Sequence, residues 1–253
     1  MRGAIGNLDV AQIVLYAFWF FFAGLIFYLR REDRREGYPL ESEGQRGFKA
    51  RDIFWIPTPK TFWRWDGQRV KAPNFKADDR PINATKTELW PGAPLTPTGD
   101  PLLANVGPGS YADRSDAPYK TAEGHDLLAP LRVATNFAVP ADSANPTGYA
   151  VFGTDKVQAG VVRDLWVDRA ESILRYYEID LATGKRVLLP VHFANIDASK
   201  RTVTVKALRA SQFAGVPATR DPDRVTLLEE DKVSAYYGAG TLYATPARLE
   251  PLL

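Results

Sequence analysis

The 253-residue chain has no cysteine, which excludes disulfides, zinc–thiolate sites, iron–sulfur clusters and thiol nucleophiles. Histidine is nearly as scarce. His125 and His192 are the only two, too few for a polyhistidine metal site without help from carboxylates. Net charge is also small, 32 Lys and Arg against 30 Asp and Glu, or +2. A protein built to bind nucleic acid needs a basic surplus, so nucleic acid is not expected as a partner. Catalytic signatures are missing too. Gly107-Pro108-Gly109 lacks the Gly-Lys-Ser/Thr of a phosphate loop, Gly238-Ala239-Gly240 lacks the third glycine of a dinucleotide fingerprint, and neither GxSxG nor HExxH occurs.

What the chain does have is one long apolar run. Val10 to Leu29 holds eight aromatics and a single strongly polar residue, Gln12. Twenty helical residues span about 30 Å, the thickness of a bilayer's hydrocarbon core. Their apolar side chains contribute on the order of −5 kcal/mol to insertion. A cleaved signal peptide would have its basic residues before the run. Here Arg30, Arg31, Arg34 and Arg35 follow it, and Arg2 alone precedes it. The segment therefore reads as a membrane span capped by Asn7 or Asp9, with residues 1–9 extracytoplasmic and the bulk of the chain cytoplasmic.

Residues 30–146 carry fourteen of the nineteen prolines and little helical periodicity. Disordered chains are poor in aromatics, whereas this stretch includes Phe48, Phe54, Trp55, Phe62, Trp63, Trp65, Phe75, Trp90, Tyr111 and Tyr119. Such a segment needs a surface to pack on, supplied either by the following domain or by another subunit. From about Thr147 to the end, residues 147–253, the pattern changes to strands: 157–168, 172–181, 186–196 and the alternating Thr202-Val203-Thr204-Val205, joined by tight turns. Short strands with tight turns predict a small antiparallel barrel or closed sandwich. Thr226 and Glu229 have capping-box spacing and should start a helix near 226–238, ending at Gly238 or Gly240. The fold class expected is a single N-terminal transmembrane helix plus a mainly-β domain with one helix near its C-terminus.

The remaining chemistry is carboxylate chemistry. Asp164, Asp168, Glu171, Glu178 and Asp180 punctuate apolar strand sequence, with Arg163, Arg169 and Arg175 among them. A partly buried acid near arginines can relay protons; the alternative is a salt-bridged sheet face.

In order along the chain come FFAGLIFYL at 21–29, REGYPLE at 35–41, PTGDP at 97–101, VGPGSY at 106–111, VVRDLWVD at 161–168, LLP at 188–190, FAGVP at 213–217 and VTLLEEDK at 225–232. With these motifs the chain resembles, nearly end to end, the H subunit of purple-bacterial photosynthetic reaction centres, one namesake of the PRC-barrel. The resemblance implies a non-catalytic subunit of the bacterial inner membrane that caps the cytoplasmic face of the L and M subunits. Bacteriochlorophyll, bacteriopheophytin, quinones and non-haem iron belong to those partners, and no cofactor is bound directly by this chain. A cytochrome subunit, a core antenna and membrane lipids are further expected partners. Glu171 matches the family's buried acid near the secondary quinone, and Asp168 and Arg175 its charged neighbours. Glu123, His125 and Asp126 correspond to its surface point of proton uptake, with His125 also an inhibitory metal site. A membrane-tethered barrel adaptor without photochemistry is the alternative from another class.

Overall fold

The computed structural model describes residues 9–38, 40, 54–64, 67–76, 78 and 80–248. The N-terminal tail to Leu8, Asn7 as a cap, Phe48, Trp65 and the last five residues lie outside the described residues. The chain divides into two compact units, residues 1–80 with 89–93, and residues 81–88 with 94–253.

The first unit begins with α1, Val10–Glu32, 23 residues and about 34 Å long. Asp9 is its N-cap, and the Asp9 backbone N–H donates to Gln12 Oε1 at 3.3 Å, so the run's one polar side chain serves the helix start. The helix runs three residues past the apolar stretch, because Arg30, Arg31 and Glu32 are good helix formers with the two cations in the last turn. None of its residues is buried within the chain. A 3₁₀ turn at Asp33–Arg35 follows, then the antiparallel hairpin of β1, Lys60–Trp63, and β2, Arg69–Ala72. Arg35 joins these parts. It pairs with both Glu32 carboxylate oxygens at 2.9 Å and donates to the carbonyls of Thr58 at 3.0 Å and Ala72 at 2.8 Å. Lys60 reaches the same Glu32 at 2.8 Å.

The second unit opens with a small hairpin of β3, Ala84–Lys86, and β4, Leu95–Pro97. Its main sheet has seven strands: β5 Leu128–Pro130, β6 Ala150–Phe152, β7 Gln158–Asp168, β8 Ile173–Leu181, β9 Arg186–Pro190, β10 Ala194–Asp197 and β11 Thr202–Val205. The order is β10-β11-β6-β7-β8-β9, with β5 paired to the end of β7. The stretch 94–146 therefore shares a unit with the sheet, while 30–80 does not.

Two details differ from expectation. All pairs are antiparallel except β11 with β6, which is parallel. The strand predicted over 186–196 is two strands, because Pro190 has no N–H to continue the ladder and a 3₁₀ turn at Val191–Phe193 redirects the chain.

The core is built from β7, β8 and β9, each buried over four consecutive residues, and from alternate residues of β11, with the C-terminal helix. Leu165, Trp166, Ile179, Leu189, Val203, Val205, Leu208, Phe213 and Tyr237 are fully buried. The helix, α2, spans Leu227–Tyr243 and starts as the spacing predicts: the Glu229 N–H donates to Thr226 Oγ1 at 3.1 Å, and the Thr226 N–H to Glu229 Oε2 at 2.9 Å. It does not stop at Gly238 or Gly240. Those glycines are contact points. A Cβ on Gly238 would lie 2.5 Å from the Pro108 carbonyl oxygen, and one on Gly240 would strike the Ala207 carbonyl oxygen. Gly109, in the 3₁₀ turn Gly107–Gly109, packs just as tightly on Ala239. Gly109 of the VGPGSY motif thus serves helix packing, while Gly107 takes the left-handed conformation, φ 56°, that starts the turn.

Candidate functional site

The β7–β8 hairpin presents the predicted acids at its tip. Asp168, last residue of β7 and 3% exposed, folds the turn onto itself. Its Oδ1 accepts from the N–H groups of Ala170 at 3.0 Å and Glu171 at 3.1 Å, and its carbonyl from Ser172 at 2.8 Å. Ser172 takes the left-handed conformation, φ 58°, that so tight a reversal needs. Arg175 approaches Asp168 Oδ2 at 4.0 Å and is otherwise exposed. Asp168 is thus the rigid support of the turn. Glu171 is fixed by its backbone and its side chain is exposed in this chain, not buried as the resemblance implies.

The segment 120–126 lies beside this hairpin. Arg169 stitches the two together: its N–H donates to the Leu127 carbonyl at 2.9 Å and its guanidinium to the Asp126 carbonyl at 3.2 Å. An open pocket of about 600 Å³ results, lined by Thr121, Ala122, Glu123, His125, Asn136, Phe137, Arg169 and Ala170. Glu123 and His125 thus share one solvent pocket with the residue preceding Glu171. The Thr121 hydroxyl, the Glu123 backbone N–H and the His125 ring hold the Glu123 carboxyl below the usual range despite some desolvation.

Asp126 behaves differently from expectation. Its side chain is not among the groups lining that pocket; it is pinned between Lys120 and Arg224, the latter at 2.7 Å. Partial burial opposes its ionisation, but the hydrogen bonds from Arg224 and Lys120 outweigh that and keep its carboxyl below the ordinary value. Asp126 is a structural ion pair, which does not fit the proton-collecting role expected of it. No group of three or more potential metal-ligating side chains occurs among the described residues.

The other strand acids form a salt-bridged cluster. Glu178, 2% exposed, accepts from Arg132 at 2.7 Å and from the Trp166 indole at 3.0 Å through Oε2. Its Oε1 accepts no hydrogen bond among the described residues, with Arg163 at 3.7 Å and Arg186 at 3.9 Å. Arg132 also holds Asp164 at 2.9 Å and Asp223 at 2.8 Å, and Arg163 pairs with Asp180 at 3.0 Å. For Asp164, Glu178 and Asp180 the ion-paired reading therefore holds. Arg132 carries no sequence signal, since its three partners are 32, 46 and 91 residues away. A second group missed in the sequence is Glu230, in the first turn of α2. Burial pushes its carboxyl upward against the Tyr176 hydroxyl, which donates to it at 3.1 Å, and against Arg175 and Arg114 nearby.

A family model for the photosynthetic reaction centre H-chain N-terminal region matches residues 3–133, and one for the PRC-barrel domain matches residues 142–212. The chain belongs to the reaction-centre H-chain family. The first match takes in α1, the first unit and the wall of the pocket at 121–125; the second takes in β6 to β11 and the hairpin that carries Asp168 and Glu171. As an H chain it is an accessory subunit of a photosynthetic reaction centre, associated with the L and M core. The one helix among its described residues long and apolar enough to cross a bilayer makes it a single-pass membrane protein.

Proposed function

We propose that this H chain caps the cytoplasmic face of the L and M subunits and delivers protons to their secondary quinone. Its N-terminus is then extracytoplasmic and its sheet unit cytoplasmic, with bacteriochlorophyll, bacteriopheophytin, quinones and non-haem iron held by the partners. The irregular segment 30–146 supplies aromatic surface to those partners. Exposed Trp55, Trp63, Phe75 and Trp90 support that role, since an isolated soluble chain has no use for so many bare rings.

A quinone that takes two electrons and two protons under a protein lid needs ionisable groups leading inward. His125 and Glu123 take protons from bulk water at the open pocket that they line. Glu171 passes them on, with Asp168 fixing the turn and Arg175 setting the local field. The observation carrying this reading is the shared pocket, which puts His125 and Glu123 against the hairpin that bears Glu171. Replacing Glu171 with Gln keeps shape and removes the proton-carrying group. Proton-coupled second electron transfer in the Glu171→Gln complex should slow by at least about tenfold at neutral pH. An unchanged rate across pH removes Glu171 from the path.

A further inference from the structure

Trp55 lies against the C-terminal end of α1, its ring 5.3 Å from that of Phe27 and 5.7 Å from the Arg31 guanidinium. Phe27 and Arg31 are four residues apart and so share one helix face. Neighbouring cations are occupied. Arg35 and Lys60 are taken by Glu32, Arg30 pairs with Asp33 at 3.6 Å, and Arg34 donates to the Arg30 carbonyl and lies over Tyr38 and Phe54. Arg31 meets no carboxylate among the described residues, and its Nε is buried with no hydrogen-bond partner. It stands two residues beyond Leu29, where the apolar run ends, which is headgroup depth for a spanning helix. Trp55 is 58% exposed and has the amphipathic ring that favours this depth.

We infer that Arg31, seated on Trp55, binds the phosphodiester of an anionic phospholipid in the leaflet at the C-terminal end of α1. A guanidinium fork offers two N–H groups to two phosphate oxygens, and stacking on the indole limits the rotamer entropy lost on binding. The anionic class follows from the surroundings: Arg31 meets no carboxylate among the described residues, and Glu32, the carboxylate next to it in the chain, is taken by Arg35 and Lys60. This inference rests on reading α1 as a membrane span.

The test uses the intact complex in nanodiscs of phosphatidylcholine alone or with phosphatidylglycerol added, followed by transfer to mild detergent and mass-spectrometric counting of retained lipid. Wild type should retain phosphatidylglycerol, and Arg31→Ala should hold it about fivefold more weakly. Arg31→Lys should fall between, and Lys60→Ala should match wild type. Equal retention by wild type and Arg31→Ala overturns the site, as does phosphatidylcholine held as firmly as phosphatidylglycerol. Inorganic phosphate displacing the lipid's effect on heat stability would mean a free-anion site instead. A partner subunit's carboxylate on Arg31 would also refute it, and would show as Arg31→Ala loosening the complex equally in both disc types. Release of the chain from membranes by alkaline carbonate would instead remove the span itself.

Discussion

Replacing Arg132 with Ala should loosen the sheet unit where the pocket wall meets β7 and β8. Arg132 is the only group that hydrogen-bonds Glu178, Asp164 and Asp223 at once, among the described residues. Glu178 is almost fully buried, and without Arg132 its carboxylate keeps one indole hydrogen bond and two guanidinium groups beyond hydrogen-bond reach. Removing one partner of a buried pair costs about 3–5 kcal/mol, because the other charge stays buried and uncompensated. Asp223 and Arg132 itself are part-exposed, so those bonds add little and the low end applies, about 3 kcal/mol. For a unit of this size that corresponds to a fall in Tm of roughly 6–12 °C. Deuterium exchange in the intact complex gives the local readout: amides of β7, β8 and 131–134 should exchange on the order of a hundredfold faster. Adding Glu178→Gln removes the stranded charge and should recover more than half of the loss. A deficit below about 1 kcal/mol, the range of surface ion pairs, would refute the reasoning. So would a double variant no better than Arg132→Ala.

Asp126 should make acid sensitivity measurable. Its carboxyl titrates lower in the folded chain than in the unfolded one, so its stabilisation is fully present above the ordinary Asp range, near pH 4. That stabilisation is lost as pH falls from there through the folded value. Asp126→Asn should lower stability at pH 7 and flatten its pH dependence below about 4, checked by melting across pH. Gly240→Ala gains about 1 kcal/mol of helix propensity but drives a methyl into the Ala207 carbonyl and the Leu208 side chain. Net destabilisation of about 1–2 kcal/mol should follow by thermal melting, and a stabilised variant would contradict the packing described.

Much of this fold is legible in the residues because its signals are local. A twenty-residue apolar run, arginines behind it, alternating Thr and Val, and a Thr with Glu three residues on each need only their own neighbours. What escaped depended on distant partners. Gly238 and Gly240 look like terminators, yet their purpose is set by Pro108 and Ala207, so the helix ran on to Tyr243. The β6–β11 pair joins segments some fifty residues apart, and nothing in either announces a parallel neighbour. In the candidate site, Glu123 and His125 were found by family resemblance, and the pocket joining them to the hairpin emerged from Arg169. Asp126 looked equivalent to Glu123 in sequence; Lys120 and Arg224 made it an ion pair.

Flash-induced proton uptake, followed with a pH-indicating dye in the reaction-centre complex stripped of this chain and then rebuilt with it, tests the proton-delivery role most directly. Uptake after the second flash should be slow without the chain, restored by the wild type, and only partly restored by Glu171→Gln. Equal uptake in the stripped and rebuilt complexes would contradict the account.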